Sequence, residues 1–288
     1  MMNNSIYNKR RRVSDIVLNG CIQFSSLISV GILAVIVGYI LYRGIPNFSF
    51  SYLVNTTSIL NGTLGILPNI INTLYIIVLT LIIVCPIAIG GAIYLNEYAT
   101  NKKVVRVISF TTEVLAGIPS IIYGLFGMIF FGNVLGLGYS ILTGSLTLVI
   151  MVLPIISSNT QVALKGVPKS YKEAALGIGA TKWYMIRTVL LPSAIPGILT
   201  GVLLAMGRIV AESAALLFTA GSLGVLPHNL FGHIFSSGGT LTIQLYLEMS
   251  KAHYNQAFVI ALILLVIILL LNFLAKLVSK KLNVERVK

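Results

Sequence analysis

The chain has 288 residues, of which 57% are hydrophobic and only 9% are charged. Soluble proteins carry about a quarter charged residues, so this chain has too few to cover a water-exposed surface. The composition therefore predicts a membrane protein that crosses the bilayer several times. It excludes a cytosolic enzyme, a secreted disulfide scaffold and a disordered chain. The net charge of +13 does not indicate a nucleic-acid partner, because the basic residues form short clusters between apolar runs.

The apolar runs predict an all-α, polytopic protein with six transmembrane helices in a single transmembrane domain. We place the spans at residues 16–42, 70–95, 107–131, 139–160, 193–219 and 255–278. Span three is interrupted by Gly117-Ile118-Pro119. The first run is longer than the apolar core of a signal peptide, so we expect an uncleaved span.

The placement of positive charge predicts the orientation. All but three of the 20 Lys and Arg residues lie before span one, after spans two and four, or at the C-terminal end. Cytoplasmic loops are enriched in these residues, so both termini are predicted to be cytoplasmic. The outer segment 221–253 contains His228, His233 and His253, which we expect to be solvated rather than metal ligands. No Cys or His spacing indicates a metal site.

The cytoplasmic segment 167–192 predicts two short amphipathic helices joined by a turn. Pro168 favours the start of the first helix, with Ser170 as its cap, and Gly179 permits a tight turn. Thr181 can cap the second helix. Its apolar side is expected to carry Trp183, Tyr184, Ile186 and Val189. On the residues alone, this pattern is typical of helices lying in the lipid headgroups.

The same segment resembles the EAA loop of ABC importer permeases. The resemblance is carried by Glu173, Ala174, Ala175, Gly179 and the Leu-Pro step at Pro192. It implies the type I (MetI-like) permease fold, in which this loop is the coupling helix that docks on a cytoplasmic ATPase. The chain contains no Gly-x-x-x-x-Gly-Lys-Ser/Thr phosphate-binding loop. We therefore expect a non-catalytic transport subunit that needs no cofactor or metal, with its ATPase on another chain.

Span five contains two charges, Arg208 and Glu212, four residues apart and so on one face of a continuous helix. Charges inside a bilayer are costly and usually functional. A guanidinium group matches the oxygens of an oxyanion, which favours an anion path. The alternative is a self-neutralising pair that fixes helix packing.

Residues 205–220, AMGRIVAESAALLFTA, resemble the span-five signature of the PstA phosphate permeases. The resemblance implies that Arg208 and Glu212 lie on the path of inorganic phosphate. Ala211, Ser213 and Ala215 stand where that family often has glycine, threonine and proline. These departures are expected to soften the helix-breaking part of the signature.

Span three agrees with this resemblance. The segment GIPSIIYG, from Gly117 to Gly124, is similar to one found in phosphate permeases. Pro119 removes a helix hydrogen bond, and broken helices are tolerated where they line a cavity. Ser120 and Tyr123 can offer hydroxyl donors to a dehydrated anion. An ordinary proline kink with satisfied hydroxyls is an equally open interpretation.

The resemblance implies a complex in the cytoplasmic (inner) cell membrane. Its partners are the sister permease PstC, a dimer of the ATPase PstB, the outer phosphate-binding protein PstS and membrane lipid. Gly197, Gly201 and Ala205 recur every four residues and either face the sister permease or pack internally. The alternatives are an ABC permease for sulfate, molybdate or phosphonate and, less favoured, an ion-coupled secondary transporter. A membrane enzyme is disfavoured, because no Ser/His/Asp or Cys/His set converges in the spans.

Overall fold

The computed structural model describes residues 13–58, 63–227, 229 and 231–284. The N-terminal basic cluster and His228 lie outside these residues. Within them, helices form almost all of the regular structure, so the predicted all-α class is confirmed. The exception is a small antiparallel sheet of β1 (Thr56–Ser58) and β2 (Thr63–Ile66). Inner and outer denote the two sides of the membrane in the predicted orientation.

The helices follow the predicted order of spans and loops. Their bounds are α1 Val13–Gly44, α2 Ser51–Val54, α3 Leu67–Ile93, α4 Lys102–Gly117, α5 Ser120–Gly127, α6 Ile141–Gly166, α7 Lys169–Gly177, α8 Lys182–Met185, α9 Leu191–Ala211, α10 Ala214–Thr219, α11 Leu241–Ser250 and α12 Tyr254–Val284. Helices α3, α5 and α8 continue as π-helical segments at Tyr94–Tyr98, Met128–Val134 and Ile186–Leu190. Short 3₁₀-helices lie at Ile45–Asn47 and Gly232–Phe235.

Five helices of the described chain are long and apolar enough to cross a membrane, and a sixth crossing results if span three is one broken span. That span consists of α4 and the segment Ser120–Val134, which meet at an angle of 101°. The break lies at the predicted position but is far sharper than a proline kink. Ile118 precedes Pro119 and is extended, because the proline ring disfavours helical geometry in the preceding residue.

Span five differs from its prediction. The sequence predicts one helix over 193–219, and this is wrong beyond Ala211. Helix α9 ends there, Glu212 is extended with φ −80° and ψ 125°, and α10 begins at Ala214. The softened signature breaks nonetheless. A local hydrogen bond from the amide of Ala215 and a distant one from Thr242 hold Glu212 in its extended conformation.

Helix α6 is central, with α3 packed along one side and α9 along another. Small residues permit the close approach of α9. A Cβ atom on Gly197 would lie 2.5 Å from the Cβ of Ala163, and one on Gly201 would lie 2.6 Å from the Cβ of Asn159. Ala205, on the same stripe, is fully buried. Internal packing is therefore the interpretation of this stripe that the structure supports.

The short helices after the two breaks pack directly on each other. A Cβ atom on Gly124 would lie 2.8 Å from the Cα of Ala215. One on Gly127 would lie 2.9 Å from the Cγ2 of Thr219 and 2.0 Å from the Oγ1 of Thr147. The pairing of Gly124 with Ala215 and of Gly127 with Thr219 makes α5 and α10 run parallel. Both short helices therefore begin beside the two breaks, with their first residues about one helical turn apart in depth.

The outer segment 221–240 is held to the outer end of α3 by a buried polar network. Asn72 donates to the carbonyl of Gly239, and its Oδ1 accepts from Nε2 of His233 at 2.7 Å. The prediction that His233 is solvated is therefore wrong, and burial lowers its pKa. Across the described residues, no group of three or more His, Cys, Asp or Glu lies where it could hold a metal ion.

We expect Gly124→Ala to destabilise the protein, because the added methyl group meets the backbone of α10. Overpacking of this kind costs about 1–3 kcal/mol. A drop of several degrees in the melting midpoint of the full chain in detergent is the expected result. Gly91→Ala is the matched control, since a Cβ atom there meets nothing within 4 Å. Equal midpoints for the two variants would contradict the close contact of α5 and α10.

We expect His233 to make stability depend on pH. Its lowered pKa means that the native state stays neutral while the unfolded state takes up a proton. The stability contribution is therefore present above about pH 6.5 and lost as the pH falls below it. Melting midpoints at pH 8 and pH 5 should differ more in the wild type than in His233→Gln, which keeps a donor for Asn72. Identical pH dependence in both proteins would refute this role.

Candidate translocation site and coupling loop

Arg208 lies in the last turn of α9, on the face that the rest of the chain leaves open. The exposed positions of α9 recur every three or four residues and form one stripe: Ser193, Pro196, Thr200, Leu204, Gly207, Arg208 and Ala211. The Arg208 side chain is 47% exposed. A permanently charged group at the end of an otherwise weakly polar stripe is therefore the strongest candidate contact for an anion.

Glu212 pairs with Arg208 but does not share a helix face with it, which corrects the prediction. The residue lies beyond the end of α9, and its carboxylate folds back so that Oε2 lies 3.5 Å from Nη2 of Arg208. Its Oε1 accepts from the amide of Ala215 at 3.1 Å, and its carbonyl accepts from Oγ1 of Thr242 at 2.8 Å. The Glu212 side chain is only 5% exposed. Glu212 therefore stabilises the break between α9 and α10 through its hydrogen bonds and orients the side chain of Arg208.

Ser120 and Tyr123 occupy different environments. Tyr123 is buried, and its hydroxyl donates to the carbonyl of Leu115 at 2.6 Å, across the break in span three. This contact favours the satisfied-hydroxyl interpretation for Tyr123. Ser120 is the first residue of α5 and is partly exposed.

The parallel packing of α5 and α10 places Ser120 in the same region as Glu212. Ser120 lies four residues before Gly124, whose contact is Ala215, three residues after Glu212. The first amides of a helix have no partner within that helix and favour negative charge. In α10, the carboxylate of Glu212 takes one of these amides. The start of α5 and Arg208 are the features of this region that favour an anion.

The segment 167–192, called the coupling loop after the family loop it resembles, forms the two helices expected from its sequence. Pro168 is the N-cap of α7 and no side-chain hydrogen bond caps this helix, so the capping role predicted for Ser170 is wrong. Gly179 has φ +87°, a left-handed conformation that favours glycine. Thr181 caps α8 by accepting from the amide of Tyr184, as predicted.

One face of the coupling loop packs inward and the other is open. Ala175 packs with buried Met185, Ile186 and Leu190, and Pro192 lies in the first turn of α9. The exposed residues include Glu173, Ala174, Leu176, Ile178, Gly179, Trp183 and Tyr184. Of the predicted apolar side of the second helix, Ile186 is buried and Val189 is partly buried, whereas Trp183 and Tyr184 are exposed. The open face combines small, apolar and aromatic residues with one carboxylate, and the basic residues Lys169, Lys182 and Arg187 of the loop are also exposed.

Glu97, at the inner end of α3, contacts the coupling loop and is not among the residues predicted from the sequence. It lies in the π-helical segment Tyr94–Tyr98, and its Oε1 contacts Nζ of Lys172 at 2.5 Å. Nζ of Lys182 donates to the backbone carbonyl of Glu97. The signal in the sequence is charge complementarity: Glu97 is one of only seven acidic residues and follows span two near a strongly basic loop.

The sequence of this chain matches the family described as the binding-protein-dependent transport system inner membrane component over residues 87–284. The chain belongs to this family. The match includes Glu97, both helix breaks, the coupling loop and Arg208. The protein is thus a multi-pass membrane subunit of an ABC importer, a class in which an ATPase and a binding protein act with the membrane component.

Named relatives cover most of the chain. The probable ABC transporter permease protein YqgI of Bacillus subtilis (strain 168) is 40% identical over 211 residues, which cover 73% of this chain and 72% of the relative. The phosphate transport system permease protein PstA 2 of Mycobacterium tuberculosis (strain CDC 1551 / Oshkosh) is 32% identical over 279 residues, covering 96% and 90%.

Solved structures of ABC importers share the fold. A chain of a bacterial alginate ABC transporter, in complex with an alginate pentasaccharide-bound periplasmic protein, superposes with a TM-score of 0.67 at 18% identity. The superposition covers 94% of this chain and 98% of that one. A chain of the inward-facing MetNI methionine transporter gives a TM-score of 0.57 at 20% identity, covering 76% and 94%. The predicted MetI-like permease fold is confirmed.

Proposed function

We propose that this protein is the permease subunit of an ATP-driven importer of inorganic phosphate. The observation that carries the proposal is the half-exposed Arg208 at the break of a membrane helix. Its guanidinium group offers a planar set of donors that matches phosphate oxygens. The names of relatives such as PstA 2 support phosphate as the oxyanion.

The geometry gives Arg208 and Glu212 different tasks in this proposal. Glu212 is buried and already accepts from the amide of Ala215, so its charge is partly balanced without Arg208. The 3.5 Å separation and the exposure of Arg208 make the ion pair weak. Arg208 is therefore free to exchange this contact for a phosphate oxygen. Ser120, at the start of α5, adds a hydroxyl and a helix N-terminus to the same path.

The open stripe of α9 requires a second subunit. Arg208 would otherwise face lipid, where an uncompensated charge is costly. A PstC-type sister permease covering this stripe encloses a path between the two subunits, with Arg208 on its wall. Moderate affinity suits transport, because a single arginine shared with Glu212 binds the anion and still releases it. The phosphate-binding protein PstS delivers the anion from the outer side.

The open face of the coupling loop supplies the site for the ATPase, PstB in this proposal. Glu173, Ala174 and Gly179 lie on this face with Ile178, which is 87% exposed. Exposed apolar residues grouped in this way are typical of protein–protein contacts. Because α8 continues through Ile186–Leu190 into α9, a movement of the loop is transmitted directly to the helix that carries Arg208. Both termini lie on the same, cytoplasmic side.

We expect Arg208→Gln to reduce ATP-dependent uptake of radiolabelled phosphate by roughly 10–100-fold, since a charged hydrogen bond contributes about 1.5–3 kcal/mol. The assay uses vesicles that hold the complete importer. Arg43→Gln is the matched control, because Arg43 is an exposed arginine at the outer end of α1. Unchanged uptake by Arg208→Gln would reduce the pair with Glu212 to a structural one. Transport of sulfate or molybdate instead of phosphate by the wild type would refute the substrate assignment.

We expect Ile178→Glu to weaken ATPase docking while leaving the permease folded, because surface substitutions usually change stability by about 0.5 kcal/mol or less. Loss of a central apolar contact costs about 2 kcal/mol, roughly 30-fold in affinity. Recovery of the ATPase with the affinity-tagged permease measures the effect. Leu223→Glu, an exposed apolar residue of the outer segment, is the control. Equal recovery with both variants would place the ATPase elsewhere.

A further inference from the structure

Helix α3 contacts the coupling loop at its inner end and the outer segment 221–240 at its outer end. At its outer end, Asn69 donates to the carbonyl of Gly239 at 3.0 Å. Thr73 accepts from the amide of Leu241 at 3.0 Å. At its inner end, α3 continues into the π-helical segment that carries Glu97. One helix therefore joins the coupling loop to the outer segment 221–240.

The contact at the inner end is a nearly enclosed ion pair. The Glu97 side chain is 8% exposed and that of Lys172 is 23% exposed. Asn96 donates to the same carboxylate oxygen at 2.6 Å, which fixes its position. Lys182 binds the carbonyl of Glu97 and lies 4.7 Å from the ring centre of Tyr98. Glu97 thus contacts both helices of the coupling loop, through its side chain to α7 and through its backbone to α8.

The coupling loop reaches the membrane helices by three routes that differ in kind. The route to α6 is covalent, through Val167 and Pro168. The route to α9 is covalent, through α8 and the segment Ile186–Leu190. The route to α3 is non-covalent. Ile89 and Ile93, both partly buried, pack against the apolar cluster of the loop. Apolar contacts permit sliding, whereas a charged pair at 2.5 Å fixes the register of α7 on the end of α3.

We propose that Glu97 is a positioning residue that makes α3 follow the coupling loop when the ATPase moves it. Through Glu97, α3 and α9 move together, and the outer segment attached to α3 responds to events at the inner face. Without the Glu97 carboxylate, the loop still moves α6 and α9 but no longer holds the inner end of α3, so ATP hydrolysis is less closely matched to opening on the outer side. This inference rests on the docking of an ATPase at the coupling loop proposed above.

The test is the ratio of phosphate imported to ATP hydrolysed in vesicles that hold the complete importer. We expect Glu97→Gln to leave assembly and the rate of ATP hydrolysis close to wild type, because the amide keeps the oxygen that Asn96 contacts. The ratio should fall at least about fivefold, the lower end of typical coupling between sites. Lys172→Gln should lower the ratio similarly. The double variant should be no worse than either single variant, because each substitution removes the same charge pair.

Glu113→Gln is the matched control, since Glu113 is an exposed carboxylate of α4 that forms no ion pair among the described residues. A wild-type ratio in Glu97→Gln, or additive losses in the double variant, would overturn the proposal. If Glu97→Gln does not assemble, the ratio of Lys172→Gln decides in the same way. Uptake by the wild type that needs no ATPase would instead refute the docking proposal and is distinguishable from either result.

Discussion

Backbone groups inside a bilayer need hydrogen-bond partners, and this protein breaks two membrane helices where water is scarce. The rest of the site depends on how the broken ends are satisfied. Glu212 supplies an acceptor for the amide of Ala215, Thr242 supplies a donor for the carbonyl of Glu212, and Tyr123 supplies one for the carbonyl of Leu115. With these bonds made, α9 can stop at Ala211 and leave the charge of Arg208 beside an open face.

The hydrogen bonds at the two breaks also explain why the close contact of Gly124 with the backbone of Ala215 lies next to Arg208 and Glu212. The short helices α5 and α10 begin at the breaks and run outward in parallel, and Gly124 allows them to touch. Parallel helices bring their partly positive N-termini to one place. At the start of α10 the carboxylate of Glu212 already accepts from the amide of Ala215, so the start of α5 and Arg208 are the features that favour negative charge here.

Local features of the sequence predicted local structure well. The apolar runs predicted the long helices, Gly179 the left-handed turn and Thr181 the cap of α8, since each depends on neighbouring residues. The helix end at Ala211 was missed because its stabilising partner, Thr242, lies 30 residues from Glu212 along the chain. Lys172 is 75 residues from Glu97, and His233 is 161 residues from Asn72. Such pairings depend on the packing of whole helices, which spacing within one segment does not contain.

In this basic chain, buried carboxylates lie where an α-helix ends or changes to another backbone conformation. Three have side chains that are almost inaccessible: Glu97, Glu212 and Glu248. Glu97 holds the coupling loop, and Glu212 holds the break before α10. Glu248 lies beside the turn between α11 and α12 and pairs with His253 at 2.8 Å. Each carboxylate has a cationic partner that is more exposed than itself. Burying the acid fixes the local geometry and leaves its cationic partner more exposed, as at Arg208.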